Sequence, residues 1–261
     1  MKKFIAFVMV AVMLLGSVFA LASCGESEEL VVGITYFAPM NYYDDAGNLV
    51  GFETEFAKAV GKELGMDVTF QEIDWDAKFT ELDSGNIDCI WNGMTIDADR
   101  RAAAGISTPY MKNKQVLVVK ADKASSFNAS TPLTSDVSVV AETKSAGESV
   151  IAADNYLKGA SYTAVKDMTT ALMEVAGGTA DACVIDYVTA LGSIGEGTDY
   201  EDLVVVESMS FGEEEQYGIA FRKGDTELLA KVNDAIEKLA ENGTLRQIAE
   251  KYKLEDYLLV G

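Results

Sequence analysis

The chain has 261 residues, of which 49% are hydrophobic, and 42 acidic against 21 basic side chains give it a formal charge of −21. Nucleic-acid binding is excluded, because affinity for phosphate backbones depends on clustered lysine and arginine. The chain has no histidine, which excludes Ser-His-Asp and Cys-His catalytic sites and histidine-ligated metals. One large or two modest domains fit this length, and either is big enough to be stable without a disulfide. We also expect no cofactor.

The N-terminus has the pattern of a secretion signal. Two lysines precede an apolar run from Phe4 to Ala22, and residues 21–24 read Leu-Ala-Ser-Cys, which resembles the lipobox of bacterial lipoproteins. The pattern predicts a signal peptide over 1–23, lipid attachment at Cys24 and a flexible linker over 24–29, with the folded part outside the cytoplasmic membrane. A transmembrane anchor, or an ordinary signal peptide with an incidental cysteine, are the alternatives.

After the linker, strand patterns alternate with helical periods. The elements predicted first are a strand over 30–34, a helix over 52–64, a strand over 68–70, a helix over 75–82 and a strand over 87–91. Gly65 and Gly85 are expected to end the two helices. Cys89 and Cys183 lie in apolar runs, so buried free thiols are favoured over a disulfide.

The alternation restarts further along the chain. The second set comprises strand 137–141, helix 147–157, strand 162–165, helix 168–175 and strand 182–185. A strand over 116–119 precedes this set, a strand over 203–206 follows it, and the Gly- and charge-rich stretch Phe211–Gln216 then leads to strand 217–221 and helices 228–240 and 245–252. Two α/β lobes are predicted: 30–112 with 216–261, and 113–215. Two crossings then join them, as a hinge requires.

Several segments resemble family 3 extracellular solute-binding proteins, the amino-acid receptors of ABC importers. The matching segments are Gly51-Phe52-Glu53, Asp74-Trp75-Asp76, Asn92 to Arg100, Tyr217 to Asp225 and Asn242 to Leu245. The resemblance implies a two-lobe, type II periplasmic-binding-protein-like fold, in which each lobe is a sheet flanked by helices and two strands form the hinge. It also implies a free α-amino acid ligand, a monomeric receptor, an ABC transporter permease as partner, and no catalysis.

The resemblance assigns the ligand's carboxylate to Arg100 and to the helix start at Ser145 and Ala146. A guanidinium can bind a carboxylate through two parallel N–H groups, and a helix start offers free N–H groups. The alternatives are a surface arginine beside Asp97 and Asp99 and a serine that only caps its helix. Many relatives have a hydroxyl where this chain has Ala146, so that contact would use the backbone.

The ligand's ammonium is assigned to Asp186, together with the Gly93 carbonyl and the Thr95 hydroxyl. An α-amino acid carries both charges within a few ångströms, and burying either without a partner costs several kcal/mol. The pocket must therefore supply partners of both signs. The alternative for Asp186 is a helix N-cap before Tyr187.

Phe37 and Trp75 are assigned to the two sides of the ligand's side chain, with Asn92 beside it. Core packing with Phe79 and Leu82 is the alternative for Trp75. The other residues expected near the side-chain subsite are Met40, Asn41, Trp91 and Glu142. An acidic residue that many relatives carry between Gly33 and Phe37 is absent, so a cationic ligand loses one expected partner there.

Two other functions fit the same fold. One is a dehydratase acting on arogenate or prephenate, with Glu142 or Glu148 as the acid. Because Glu142 is followed by Thr143, Lys144 and Ser145, we do not expect the raised pKa that such an acid needs. The other is a sensory module that binds a ligand but serves no transporter.

Overall fold

A computed structural model describes residues 28–260 of the chain. The predicted signal peptide, Cys24 and most of the predicted linker lie outside the described residues. Glu29, at the end of that linker, is already the first residue of a strand. Within residues 28–260, none of the helices combines the length and the apolar character needed to cross a bilayer.

The first lobe is built on a five-stranded sheet. Its strands are β1 (Glu29–Ile34), β4 (Asp67–Glu72), β5 (Cys89–Ile90), β6 (Gly105–Ile106) and β12 (Ala220–Phe221), in the order β4-β1-β5-β12-β6. A small hairpin, β2 (Tyr42–Tyr43) and β3 (Leu49–Val50), lies beside it. The helices are α1 (Phe52–Leu64), α2 (Lys78–Ser84), α3 (Ala98–Ala103), α7 (Thr226–Glu241) and α8 (Thr244–Lys251), with 3-10 turns at Trp75–Ala77 and Glu255–Tyr257.

The second lobe has its own five-stranded sheet. Its strands are β7 (Met111–Lys120), β8 (Ser138–Glu142), β9 (Ser161–Val165), β10 (Ala182–Asp186) and β11 (Leu203–Tyr217), in the order β11-β7-β10-β8-β9. Its helices are α4 (Ala146–Ala153), α5 (Met168–Gly177) and α6 (Tyr187–Ser193), and a 3-10 turn covers Ala121–Ser126. The sheet is mixed, because β7 runs antiparallel to β10 and β11 while β8 runs parallel to β9 and β10.

Local sequence accounts for most of these elements. α1 buries Phe52, Phe56 and Val60, which recur at helical spacing. It ends at Gly65, whose φ of 72° is the left-handed conformation that glycine adopts without strain. Strand β10 is buried along its whole length, as a continuous apolar run predicts for a central strand.

Several predicted boundaries are wrong. The strand expected over 116–119 begins five residues earlier, at Met111. The helix expected over 147–157 ends at Ala153, because Asp154 is already extended. In the strand expected over 87–91, only Cys89 and Ile90 pair with neighbouring strands. The charged stretch 211–216 does not interrupt the chain's strand: β11 continues through it to Tyr217, with register shifts that absorb the irregular residues. The strand expected over 217–221 is reduced to β12.

The two crossings between the lobes lie side by side. β7 and β11 pair along their length, from Leu203 opposite Lys120 to Tyr217 opposite Met111. Tyr217 also forms a bridge to Thr95 of the first lobe. The predicted lobe boundaries, after residues 112 and 215, stay a prediction. Cys89 and Cys183 are buried free thiols, as predicted.

Candidate functional site

A small, tight cavity lies between the two lobes. Its walls are formed by Trp75, Asn92, Gly93, Thr95, Arg100, Glu142, Ala146, Met168 and Asp186. Seven of the nine predicted ligand-binding residues are among them, and Phe37 and Ser145 are not. The residues after β5, β8 and β10 meet here because ligands of α/β sheets bind beyond the carboxyl ends of the strands.

Arg100 lies in α3 and is buried, with 6% of its surface exposed. Its Nη1 donates to the Thr95 carbonyl over 2.7 Å, and its Nε lies 3.4 Å from the Asp97 carboxylate. Asp97 caps α3 by accepting the Arg100 backbone N–H. Its burial contradicts the surface-arginine alternative. These contacts hold the guanidinium at the cavity wall.

Asp186 ends β10 and reaches the cavity from the second lobe. It precedes α6, but its side chain makes no capping hydrogen bond, so the N-cap alternative is wrong. Its carboxylate instead accepts hydrogen bonds from the Gln115 amide and, over 2.6 Å, from the Tyr217 hydroxyl. Burial, followed by the nearby Glu215 charge, raises the pKa of Asp186 to about 6.

Glu215, in β11, was missed by the sequence analysis. Its carboxylate accepts hydrogen bonds from the Thr95 hydroxyl (3.0 Å), the Asn113 amide (3.0 Å) and the Gln115 amide (2.9 Å). Gln115 therefore bridges Glu215 and Asp186, and two carboxylates share one donor. The only sequence signal was its position two residues before Tyr217, at the start of a family-like segment.

Ser145 caps α4 by accepting the Glu148 backbone N–H over 3.1 Å. Glu148 reaches back to the Lys144 backbone N–H over 2.6 Å, one residue earlier than in an ordinary capping box. The Ser145 hydroxyl is thus engaged in capping and lies off the cavity wall, while Ala146 lies on it. The helix start contributes to the cavity through backbone at Ala146.

Trp75 and Phe37 have different surroundings. Trp75 lines the cavity and also packs in a core cluster with Phe79 and Leu82, so the core-packing alternative holds and its contact with a ligand stays a prediction. The Lys78 ammonium lies 4.5 Å from the centre of its ring. Phe37 is buried behind Gly93, where a Cβ atom on that glycine would lie 3.2 Å from the phenyl ring.

Asn92 lines the cavity, but its side chain stabilises the loop. Its Oδ1 accepts from the Thr35 backbone N–H (2.9 Å) and hydroxyl (2.6 Å), and its Nδ2 donates to the Thr35 carbonyl over 2.9 Å. Met40, Asn41 and Trp91, which were expected near the side-chain subsite, are fully buried and lie off the cavity walls. Met168, the first residue of α5, does line the cavity. The sequence analysis missed it, because nothing in the local sequence distinguishes it from core methionines.

A buried carboxylate holds the Gly93 loop in place. Glu53, in α1, accepts the Gly93 backbone N–H at both carboxylate oxygens (2.9 and 3.0 Å) and is hydrogen-bonded to the Tyr110 hydroxyl. Burial raises the pKa of Glu53 to about 7. Gly93 has a φ of 58°, a left-handed conformation that glycine tolerates.

Glu142 and Lys78 are a buried acid and a buried base near Arg100. Burial raises the pKa of Glu142 well above its usual range, so the prediction that its polar sequence neighbours keep it ordinary is wrong. Burial, followed by the Arg100 charge, lowers the pKa of Lys78 to about 8. The Lys78 ammonium donates to the carbonyls of Trp75 (2.9 Å) and Lys144 (3.3 Å).

The lobes also contact each other around the cavity rim. The Lys144 ammonium donates to the Asp76 carbonyl over 3.2 Å, and the Thr169 hydroxyl donates to the Tyr36 carbonyl over 3.1 Å. Lys166 of the second lobe forms exposed ion pairs with acidic side chains of the first. Such exposed pairs contribute little each, but the backbone contacts fix how closely the lobes approach.

Comparison with known proteins agrees with a two-lobed receptor. The model of the bacterial extracellular solute-binding proteins, family 3, matches residues 30–255. The L-cystine-binding protein TcyJ of Escherichia coli (strain K12) is 31% identical over 236 residues, covering 87% of this chain and 83% of that protein. An ABC uptake transporter substrate-binding protein from Streptococcus pneumoniae, solved with bound histidine, is 30% identical with a TM-score of 0.75, covering 88% of this chain and 94% of that one.

A third similar protein bears on catalysis. The crystal structure of an ancestral amino acid-binding protein, a precursor of cyclohexadienyl dehydratase, is 32% identical with a TM-score of 0.74 and covers 86% of this chain and 95% of that one.

The fold and the cavity between lobes define a solute-binding protein of the two-lobe type. The chain belongs to the bacterial extracellular solute-binding proteins, family 3.

Proposed function

We propose that this protein is an extracytoplasmic receptor that binds one free α-amino acid between its lobes and delivers it to an ABC importer. The observation that carries the proposal is a buried arginine and a buried carboxylate, Arg100 and Asp186, which line one small cavity from opposite lobes. A zwitterion gives each of the two groups a partner of opposite charge within the cavity, whereas a neutral or singly charged ligand gives such a partner to one of them at most. Ligands that TcyJ and the S. pneumoniae protein bind, by their names, are amino acids.

In this proposal Arg100 and the Ala146 backbone N–H bind the carboxylate. Asp186, the Gly93 carbonyl and the Thr95 hydroxyl bind the ammonium. Trp75 contacts the ligand's side chain directly. The other three residues do not contact the ligand: Phe37 packs against Gly93, Asn92 stabilises the loop at Thr35, and Ser145 caps α4. The helix start adds a favourable dipole to the carboxylate site.

Closure of the lobes is proposed to be the signal that the permease reads. The ligand's two charged ends bind groups on opposite lobes, so binding free energy favours the closed arrangement over the open one. We further propose that the protein acts as a monomer, and that a lipid on Cys24 tethers it to the outer face of the cytoplasmic membrane.

A thermal-shift screen of the mature protein against free amino acids tests the proposal. A ligand that binds only the folded state raises the melting temperature by mass action, so at least one α-amino acid should raise it. Amino acids that lack one charge, such as N-acetylated or amidated derivatives of the hit, are the matched controls and should produce no shift. If no amino acid shifts the melting temperature, the proposal is wrong.

We also propose that the chain is not an enzyme. The buried Glu142, with its raised pKa, is the feature of the dehydratase alternative that favours proton chemistry. Product formation from prephenate or arogenate, lost in Glu142→Gln, would instead support the dehydratase alternative. Binding without a transporter, as in a sensory module, is distinguished by reconstituting uptake with the neighbouring permease genes.

Ligand affinity should fall as the solution becomes acidic. The Asp186 carboxylate must be ionised to bind an ammonium, and its pKa of about 6 in the ligand-free protein means that protons compete with the ligand below that pH. One unit below its pKa a carboxyl is only about one tenth ionised, so affinity at about pH 5 should be roughly tenfold lower than at about pH 7. Calorimetry across this range measures it.

A second titrating group requires a control. Glu53, with a pKa of about 7, holds the Gly93 loop. Glu53→Gln should keep the loss of affinity below about pH 6, and Asp186→Asn should bind weakly and lose the part of the pH dependence that is centred near pH 6. Constant wild-type affinity from about pH 5 to pH 8 would contradict the assignment of the ammonium to Asp186.

A further inference from the structure

Glu142 places a carboxyl group on the cavity wall without a protein partner. The residue is the last of β8 and is 3% exposed. Its Oε1 is inaccessible to solvent and has no hydrogen-bond partner among residues 28–260. Burying a carboxyl oxygen without a hydrogen-bond donor is unfavourable, whether the group is charged or neutral. The missing donor is therefore expected from whatever enters the cavity.

The nearby cations do not supply this donor. No lysine or arginine of the described chain lies within ion-pairing distance of Glu142. The Lys78 ammonium is directed to two backbone carbonyls, and Nη1 of Arg100 to a third. Lys78 and Arg100 influence Glu142 only through the longer-range field that lowers its pKa, against the larger effect of burial.

The position of Glu142 points to the ligand's side chain. β8 and β10 are parallel neighbours, so Glu142 and Asp186 leave the same edge of the sheet on adjacent strands. In the proposed function, Asp186 and Arg100 bind the ligand's two α-groups. Glu142 is then left for the remaining part of the ligand, in the cavity that Trp75 and Met168 also line.

We infer that Glu142 is a specificity-determining residue, which binds a cationic group, a guanidinium or an ammonium, on the side chain of the amino acid. The inference rests on the proposed function and names its substrate class. A cation donates the hydrogen bond that Glu142 lacks and neutralises the charge that burial disfavours. Glu142 would then supply, from the second lobe, the acidic partner for a cationic ligand that the loop between Gly33 and Phe37 lacks.

Arginine and citrulline form the test pair, because they have nearly the same size while only arginine carries a charge. Calorimetry on the wild-type protein should give arginine an affinity at least about tenfold above that of citrulline. In Glu142→Gln, which keeps the volume and removes the charge, the arginine affinity should fall at least about tenfold and the ratio should approach one. Lysine and norleucine form a second pair for a ligand with an ammonium.

Two variants serve as controls. Glu196→Gln removes an exposed carboxylate of the second lobe that lies off the cavity wall, and it should keep the wild-type ratio. Glu142→Asp keeps the charge, so it should retain a preference for arginine over citrulline even where absolute affinity falls. The melting temperature of each ligand-free variant reports whether it is folded. If Glu142→Gln is not folded, the arginine-to-citrulline ratio of Glu142→Asp decides instead.

Each other result has a distinct meaning. An unchanged arginine-to-citrulline ratio in Glu142→Gln, or an equal loss for both ligands, would overturn the inference. It would also be overturned if the wild-type protein bound a neutral amino acid or cystine and neither basic amino acid, although the proposed function would stand. Binding of no amino acid at all would instead overturn the proposed function.

Discussion

Replacing Arg100 by alanine is expected to abolish amino-acid binding at accessible concentrations. Arg100 is buried and is the only arginine among the residues that line the cavity. A hydrogen bond to the Thr95 carbonyl holds its guanidinium in place. Truncating one partner of a buried charge pair costs about 2–5 kcal/mol, which corresponds to a loss of affinity of roughly thirtyfold to several thousandfold. Calorimetry or thermal shift with the best ligand from the screen measures the loss.

The neighbouring residue offers a matched control. Arg101 lies in the same helix but is exposed, so Arg101→Ala removes the same charge from the protein without touching the cavity. Its affinity should stay within about twofold of the wild type. Arg100→Lys should be intermediate, because an ammonium keeps the charge but not the planar pair of donors. Equal effects of the two alanine variants would mean that only the overall field matters.

Much of the fold could be predicted because local patterns agree with it. The glycines at 65 and 85 end their helices in left-handed conformations, as their positions indicated. The errors occur where long-range pairing overrides local signals. β11 continues through the charged stretch 211–216 because β7 lies alongside it. Cys89 and Ile90 pair as a short strand between β1 and β12, which no local pattern limits to two residues.

The part of the candidate site that lies at strand ends and in family motifs could be predicted from the sequence. Those signals indicated Asn92, Gly93 and Asp186, which follow or end strands and do line the cavity. They could not indicate Glu215, whose carboxylate lies about a hundred residues away in sequence from the donors it binds. Nor could they give the pKa of Glu142, because burial is set by tertiary packing rather than by the residues that follow it.

The two lobes also approach each other closely at a glycine outside the cavity. In α6 of the second lobe, Gly192 lies against the loop of the first lobe that contains Ala38 and Pro39. A Cβ atom on Gly192 would lie 2.4 Å from Pro39 Cδ and 2.5 Å from Pro39 N. No side chain fits there unless the two lobes separate or the loop moves.

Gly192→Ala should therefore weaken ligand binding without altering the cavity residues. Steric overlap of this kind costs about 1–3 kcal/mol in the closed form, and apparent affinity falls with the population of that form, by roughly five- to a hundredfold. The open form is not strained, because the overlap lies between lobes and alanine is a better helix former than glycine. The melting temperature without ligand should then be unchanged or slightly higher, while calorimetry shows the weaker binding. Gly177→Ala, at the end of α5 with no atom closer than 3.9 Å to its Cβ position, is the control and should bind normally; equal affinities for both variants would show that the lobes need not approach this closely to hold the ligand.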